Sequence, residues 1–143
     1  MTIRANEPVE INIGIDKIYF IIVNARGFDA KVPPVEPDPG SNPSEDENRE
    51  IIEDYPDDAS AEVLRASIDQ LTDEEVIDLI AITWVGRGDF DRTTFDEARE
   101  LATERHKARS ARYLMGMPLL GDYLDEGLSE LGYSIADYRP EDD

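Results

Sequence analysis

Residues 71–88, LTDEEVIDLIAITWVGRG, decide how the rest of the chain must be read. Thr72 followed three residues on by Glu75 is the reciprocal capping box that opens a helix, and Leu71 with Val76 supplies the hydrophobic staple around it. Gly86-Arg87-Gly88 supplies the stop, because glycine readily takes the left-handed backbone that ends a helix. Between start and stop, Val76, Ile77, Leu79, Ile80, Ile82, Trp84 and Val85 cover nearly every face. A helix apolar all round must be surrounded. This one is expected at the centre of a bundle, with a subunit interface as the alternative.

Working outward, residues 60–70 place Leu64, Ile68 and Leu71 at i, i+4 and i+7, a single apolar stripe. Thr94-Phe95-Asp96-Glu97 forms a second capping box, opening a long helix through about Met115 whose core side is Phe95, Ala98, Leu101, Ala102, Ala108 and Leu114. Gly116 ends it. Pro118 suits the first turn of a last helix carrying Leu120, Leu124, Leu128 and Leu131, which Gly132 closes. The run IYFIIV at 18–23 has strand composition. No other segment offers it a strand partner, and an unpaired strand leaves its backbone groups unsatisfied. Ile15, Ile18, Tyr19 and Ile22 fit a helical stripe, so 15–30 is expected to be helix. The fold predicted is all-α: one compact bundle of about five helices, with 1–143 as a single helical domain.

One stretch cannot contribute to that core. KVPPVEPDPGSNPSEDENREIIEDYPDD (31–58) contains Pro33, Pro34, Pro37, Pro39 and Pro43, and between Glu36 and Asp58 it carries ten carboxylates against Arg49, a net −9. Too little apolar surface is available to offset its ordering entropy, and like charges extend it. A flexible acidic loop over 32–58 is expected after the first helix, with Ile51, Ile52 and Tyr55 as a short docking point on the body. An irregular tail is expected over 134–143.

Charge and composition exclude several functions. The chain has 143 residues, 34 acidic against 14 basic, for a formal charge of −20. A surface this anionic repels phosphate backbones and anionic membranes, so neither a nucleic acid nor a membrane is expected as partner. Without cysteine there is no disulfide, thiolate metal site or cysteine nucleophile, and the single histidine, His106, precludes a multi-histidine centre within one chain. No cofactor is expected. The absence of a bilayer-length apolar run and of a secretory signal at MTIRANEPVE points to a cytoplasmic protein.

Two constellations could still bind something. Asp89, Asp91, Thr93 and Glu100 fall at positions 1, 3, 5 and 12 of a segment between two helices, the spacing of a calcium loop. Thr94 stands where that loop turns on glycine, and Asp96 where it is apolar, so helix capping explains the same letters better. The second is a sign reversal. Between Arg99 and Arg112 there are five basic residues and two acidic ones, +3 in a chain of −20. Arg105, His106, Arg109, Arg112 and Tyr113, with Asp122 of the last helix, could line an anion pocket between the last two long helices. The competing expectation is that these arginines pair with the protein's own carboxylates, among them Asp122, Asp125, Glu126 and the 36–58 loop. No nucleophile-elbow, zinc-protease or phosphate-loop motif occurs, and no catalytic residue is assigned.

At residues 121–128, GDYLDEGL resembles the GDYLEEGL signature of the bacterial domain-of-unknown-function family 3775, with Asp125 in place of one Glu. FIIVNARGFDAKV (20–32), DLIAITWVGRGDF (78–90) and ARYLMGMPLLGDYL (111–124) are similar to that family as well. The resemblance implies one helical domain with an ordered first helix, and carries no reaction or cofactor. Within the signature, Tyr123, Leu124 and Leu128 are read as the buried edge. Gly127, which costs a helix about 1 kcal/mol relative to Ala, is read as the site of a close helix crossing.

The function these features favour is a small helical interaction or adaptor module without catalysis, meeting a protein partner or a second copy of itself. The segregated charge predicts that the acidic loop visits the Arg99–Arg112 face and competes there with an acidic partner. The alternative is an anion- or metabolite-binding protein, or an enzyme, using the Arg/His/Tyr pocket.

Overall fold

In the computed structural model, which describes residues 8–31, 59–105 and 110–135, the apolar helix lies where its sequence requires. It runs Asp73–Arg87, and every residue from Asp78 to Val85 is buried. In chain order the helices are α1 (Ile15–Lys31), α2 (Ala59–Asp69), α3 (Asp73–Arg87), α4 (Phe95–Arg105), α5 (Ser110–Met115) and α6 (Leu120–Glu130). There is no strand among the described residues. Helix α3 packs most extensively on α6 and then on α4, α1 lies against α2 and α6, and α2 also meets α5. The acidic stretch 32–58, its residues Ile51, Ile52 and Tyr55, and all of the tail beyond Ile135 lie outside the described residues.

The ends of α3 follow the expected chemistry. The Thr72 hydroxyl accepts from the Glu75 amide, and the Glu75 carboxylate accepts from the Thr72 amide at 2.9 Å. Gly88, at φ +97°, ends the helix in the left-handed region. Gly86 has another task. A Cβ there would lie 1.7 Å from the Tyr123 carbonyl oxygen of α6, and a Cβ on Gly127 of α6 would lie 2.2 Å from the Ile82 carbonyl oxygen of α3. Each helix therefore presses its backbone into the other's glycine, a reciprocal contact that no larger residue admits. Gly121, one and a half turns earlier on α6, is likewise packed against the Ile22 carbonyl of α1.

The signature 121–128 thereby becomes legible as packing. Gly121 and Gly127 admit two different helices, while Leu124 and Leu128 are fully buried between them. Asp122 and Asp125 both reach Arg26 of α1, at 2.9 and 3.0 Å. Tyr123 is half-buried and contributes its backbone to the crossing.

Three local expectations are revised. The helix expected over 94–115 is described as α4 and α5, with 106–109 between them outside the described residues. The last helix begins at Leu120, not at Pro118. The exposed Pro118 lies in the preceding turn, and Leu119 holds the N-cap position at φ +67°, its amide donating to the Asp29 carboxylate at 3.0 Å. At α4, the Thr94 hydroxyl accepts from the Asp91 amide, and the Asp91 carboxylate takes the Thr93 and Thr94 amides. The cap is thus built on Asp91.

The first helix is helix despite its strand-like letters. Ile18, Ile21, Ile22, Ala25 and Phe28 form its buried stripe. Ahead of it, the strap 8–14 runs to the far end of the chain: the Val9 amide donates to the Leu131 carbonyl at 2.8 Å, and the Tyr133 hydroxyl to the Val9 carbonyl at 2.7 Å.

Helical glycines should then respond to alanine with opposite signs. Gly27 of α1 has nothing within 4 Å of a Cβ, so Gly27→Ala should stabilise by about 0.5–1 kcal/mol. Gly86→Ala should destabilise by about 2–4 kcal/mol, since the helices must part to admit the methyl group. Urea denaturation of both variants checks the pair, and a stabilised Gly86→Ala would refute the crossing. Acid should act on the cap of α3. Hydrogen bonds from Lys17 and then from the Thr72 amide hold the Glu75 carboxyl below its ordinary range. Its contribution is present above the unfolded value and is lost as pH falls through the folded one. Between about pH 5 and pH 3 the melting temperature of wild type should fall more steeply than that of Glu75→Gln.

Candidate functional site

The most organised polar cluster lies inside the bundle. Asp78, in the middle of α3, is 1% exposed. Arg99 of α4 grips it with both prongs, Nε to Oδ1 at 2.9 Å and Nη2 to Oδ2 at 3.1 Å. The Asn12 amide donates to Oδ2 at 2.6 Å. Arg99 Nη2 also donates to the Glu10 carbonyl at 2.7 Å, Nη1 to Asp96 at 3.0 Å, and the guanidinium lies 4.4 Å from the Phe95 ring centroid. A charge taken out of water must be repaid by such contacts. Every arm of the guanidinium is occupied by the protein itself, so the cluster works as a three-way tie between strap, α3 and α4.

The residues singled out in the sequence are dispersed among different partners. His106 and Arg109 lie outside the described residues. Arg105 is exposed at the end of α4. Arg112 and Tyr113 are half-buried on α5, where the Tyr113 hydroxyl accepts from the Trp84 indole at 2.9 Å. Asp122 is engaged by Arg26. Arg99 pairs with Asp78 and Asp96, and Asp122 and Asp125 pair with α1. Of the calcium-loop residues, Asp89 bonds Arg87, Asp91 bonds Thr93 and Thr94, and Glu100 is exposed on α4. Hydrogen bonds from the Thr93 hydroxyl and amide hold the Asp91 carboxyl below its ordinary range. Among the described residues no group of three or more His, Asp or Glu side chains converges as a metal site would.

The surface feature that sequence reasoning missed is apolar. Among the described residues the exposed large hydrophobic side chains are Phe20 (49%), Val23 (50%), Val63 (40%) and Leu119. Phe20 and Val23 are neighbours one turn apart on α1, and Val63 stands one turn from Ser67 on α2. Phe20 and Ser67 line the same open groove of about 430 Å³, with Asp16, Lys17, Gln70 and Leu71. Three of the four exposed side chains thus gather on the α1–α2 edge. The signal was present in the sequence: IYFIIV is apolar on more sides than a helix at the rim of a bundle can bury.

A family model described as a protein of unknown function (DUF3775) matches residues 61–133, more than half of the chain, and the chain belongs to that family. The match spans nearly all of α2 and everything through α6, whereas α1 and the similar segment at 20–32 precede it. No curated protein and no solved structure matches the chain. No helix among the described residues is long and apolar enough to cross a membrane.

If the buried pair is a tie, breaking it should be costly. Arg99→Ala leaves the Asp78 carboxylate buried without its counter-charge and should lose about 3–5 kcal/mol in urea denaturation. A loss below about 1 kcal/mol would show the pair to be peripheral.

Proposed function

We propose that this DUF3775-family protein is a non-catalytic interaction module of the cytoplasm that captures a protein partner on the α1–α2 edge. The observation that carries the reading is the gathering of Phe20, Val23 and Val63 beside one groove, in a molecule whose other large apolar side chains are mostly inside. Leaving a phenylalanine and two valines half in water forgoes hydrophobic stabilisation, and contiguous patches of this kind mark contact surfaces. The polar side agrees: Asp78 and Arg99, the most elaborate charged cluster, are consumed in holding the fold. Because Arg99 is engaged internally, the partner-facing surface is assigned to the apolar edge in preference to the Arg99–Arg112 face.

Affinity capture from native cells tests this, using the wild type, the double variant Phe20→Ser/Val63→Ser, and Glu104→Gln as a control on α4. A protein retained by wild type and control but depleted by the double variant is expected. Both variants should melt close to wild type, since exposed substitutions usually move stability by about 0.5 kcal/mol or less. Identical captured sets would refute the reading. So would a phosphate, nucleotide or dicarboxylate that raises the melting temperature by roughly 4 °C or more.

A further inference from the structure

We infer that the occupant of the α1–α2 groove is a cationic amphipathic helix of another protein; this rests on the interaction reading above and adds the partner's chemistry. The groove is open, its floor and margins are set by two neighbouring helices, and its apolar contacts recur at helical spacing: Phe20 and Val23 on α1, Val63 and Leu71 on α2 and the turn after it. A surface of that form receives the apolar face of a helix with anchors at i, i+3 or i+4, and i+7. Charge then selects the sign of the flanks. Asp16 lines the groove, and Glu62 and Asp69 stand exposed on α2 beside Val63 and Gln70. The cation at the groove, Lys17, is bound to Glu75 at 2.7 Å. Arg26, the other described base of α1, is bound to Asp122 and Asp125.

The same charge argues against the two occupants nearest to hand. A second copy brings −20 to a surface of −20, and the segment 36–58 of this chain brings −9. Like charge set against like charge suppresses association. A helix with lysine or arginine flanking its apolar stripe meets the opposite condition: attraction at the rim and burial at the centre.

The test uses the full chain and a fluorescein-labelled 14-residue peptide of leucine and lysine at helical spacing, read by fluorescence anisotropy. Two control peptides accompany it: the same residues scrambled to destroy amphipathicity, and leucine–glutamate at the original spacing. The amphipathic lysine peptide should bind about tenfold more tightly than its scramble, and the glutamate peptide should not bind. Phe20→Ser/Val63→Ser should weaken binding about tenfold, the effect of losing a central apolar anchor. Asp16→Asn/Glu62→Gln/Asp69→Asn should weaken it and flatten its salt dependence. Equal binding of the scramble, or an unaffected Phe20→Ser/Val63→Ser, would mean diffuse attraction to an acidic protein and would overturn the inference. A dimer in sedimentation that Phe20→Ser/Val63→Ser dissociates would overturn it in favour of a second copy. Failure of the peptide alongside a partner captured from cells through Phe20 and Val63 would refute the cationic helix and leave the interaction reading standing.

Discussion

The structure depends on how closely α3 and α6 approach. With Gly86 and Gly127 each accepting the other helix's carbonyl backbone, the two axes meet where ordinary side chains would hold them apart. That distance decides which residues of α3 can be covered on all sides, and hence how much of its apolar surface contributes to stability. Glycine at mid-helix is costly in isolation, by about 1 kcal/mol. Here the cost is offset by contact along both helices. Gly121 repeats the device toward α1, so α6 acts as the clamp that holds the first and third helices in one core.

Much of this was legible because it is local. The capping box at Thr72, the staple beside it, the surrounded α3, the helical nature of 15–30 and a crossing at Gly127 all follow from residues within a few turns of one another. What escaped prediction is what joins distant residues. Gly86 read as part of a stop because it adjoins Gly88, and only its contact with Tyr123 reveals the crossing. Asp78 was visible as a lone charge inside VIDLIAITWV, but its partner lies on another helix and could not be chosen from eleven arginines by spacing. The anion-pocket grouping depended on Asp122 facing the basic stretch, whereas α6 turns that carboxylate toward Arg26. Charge counts along a sequence say which signs are in surplus and not which way a helix is rotated.

The contrast between α1 and α3 bears on function. Both are apolar on more sides than an amphipathic helix needs. The bundle surrounds α3 with neighbours, while α1 has α2 and α6 on its flanks and water along its remaining side. The same surplus that makes one helix a core therefore leaves the other with Phe20 and Val23 uncovered. Asp78 shows the converse: a charge in the surrounded helix is tolerable because the strap and Arg99 close over it.

The strap has a geometric corollary. Because Val9 is bonded to Leu131 and Tyr133, the described body takes in its polypeptide and releases it at one doorway. A unit with such an entrance can be spliced into a surface turn of a larger host without prising the host's strands or helices apart. A tether fixed to both ends would tug against that doorstep before it strained the interior.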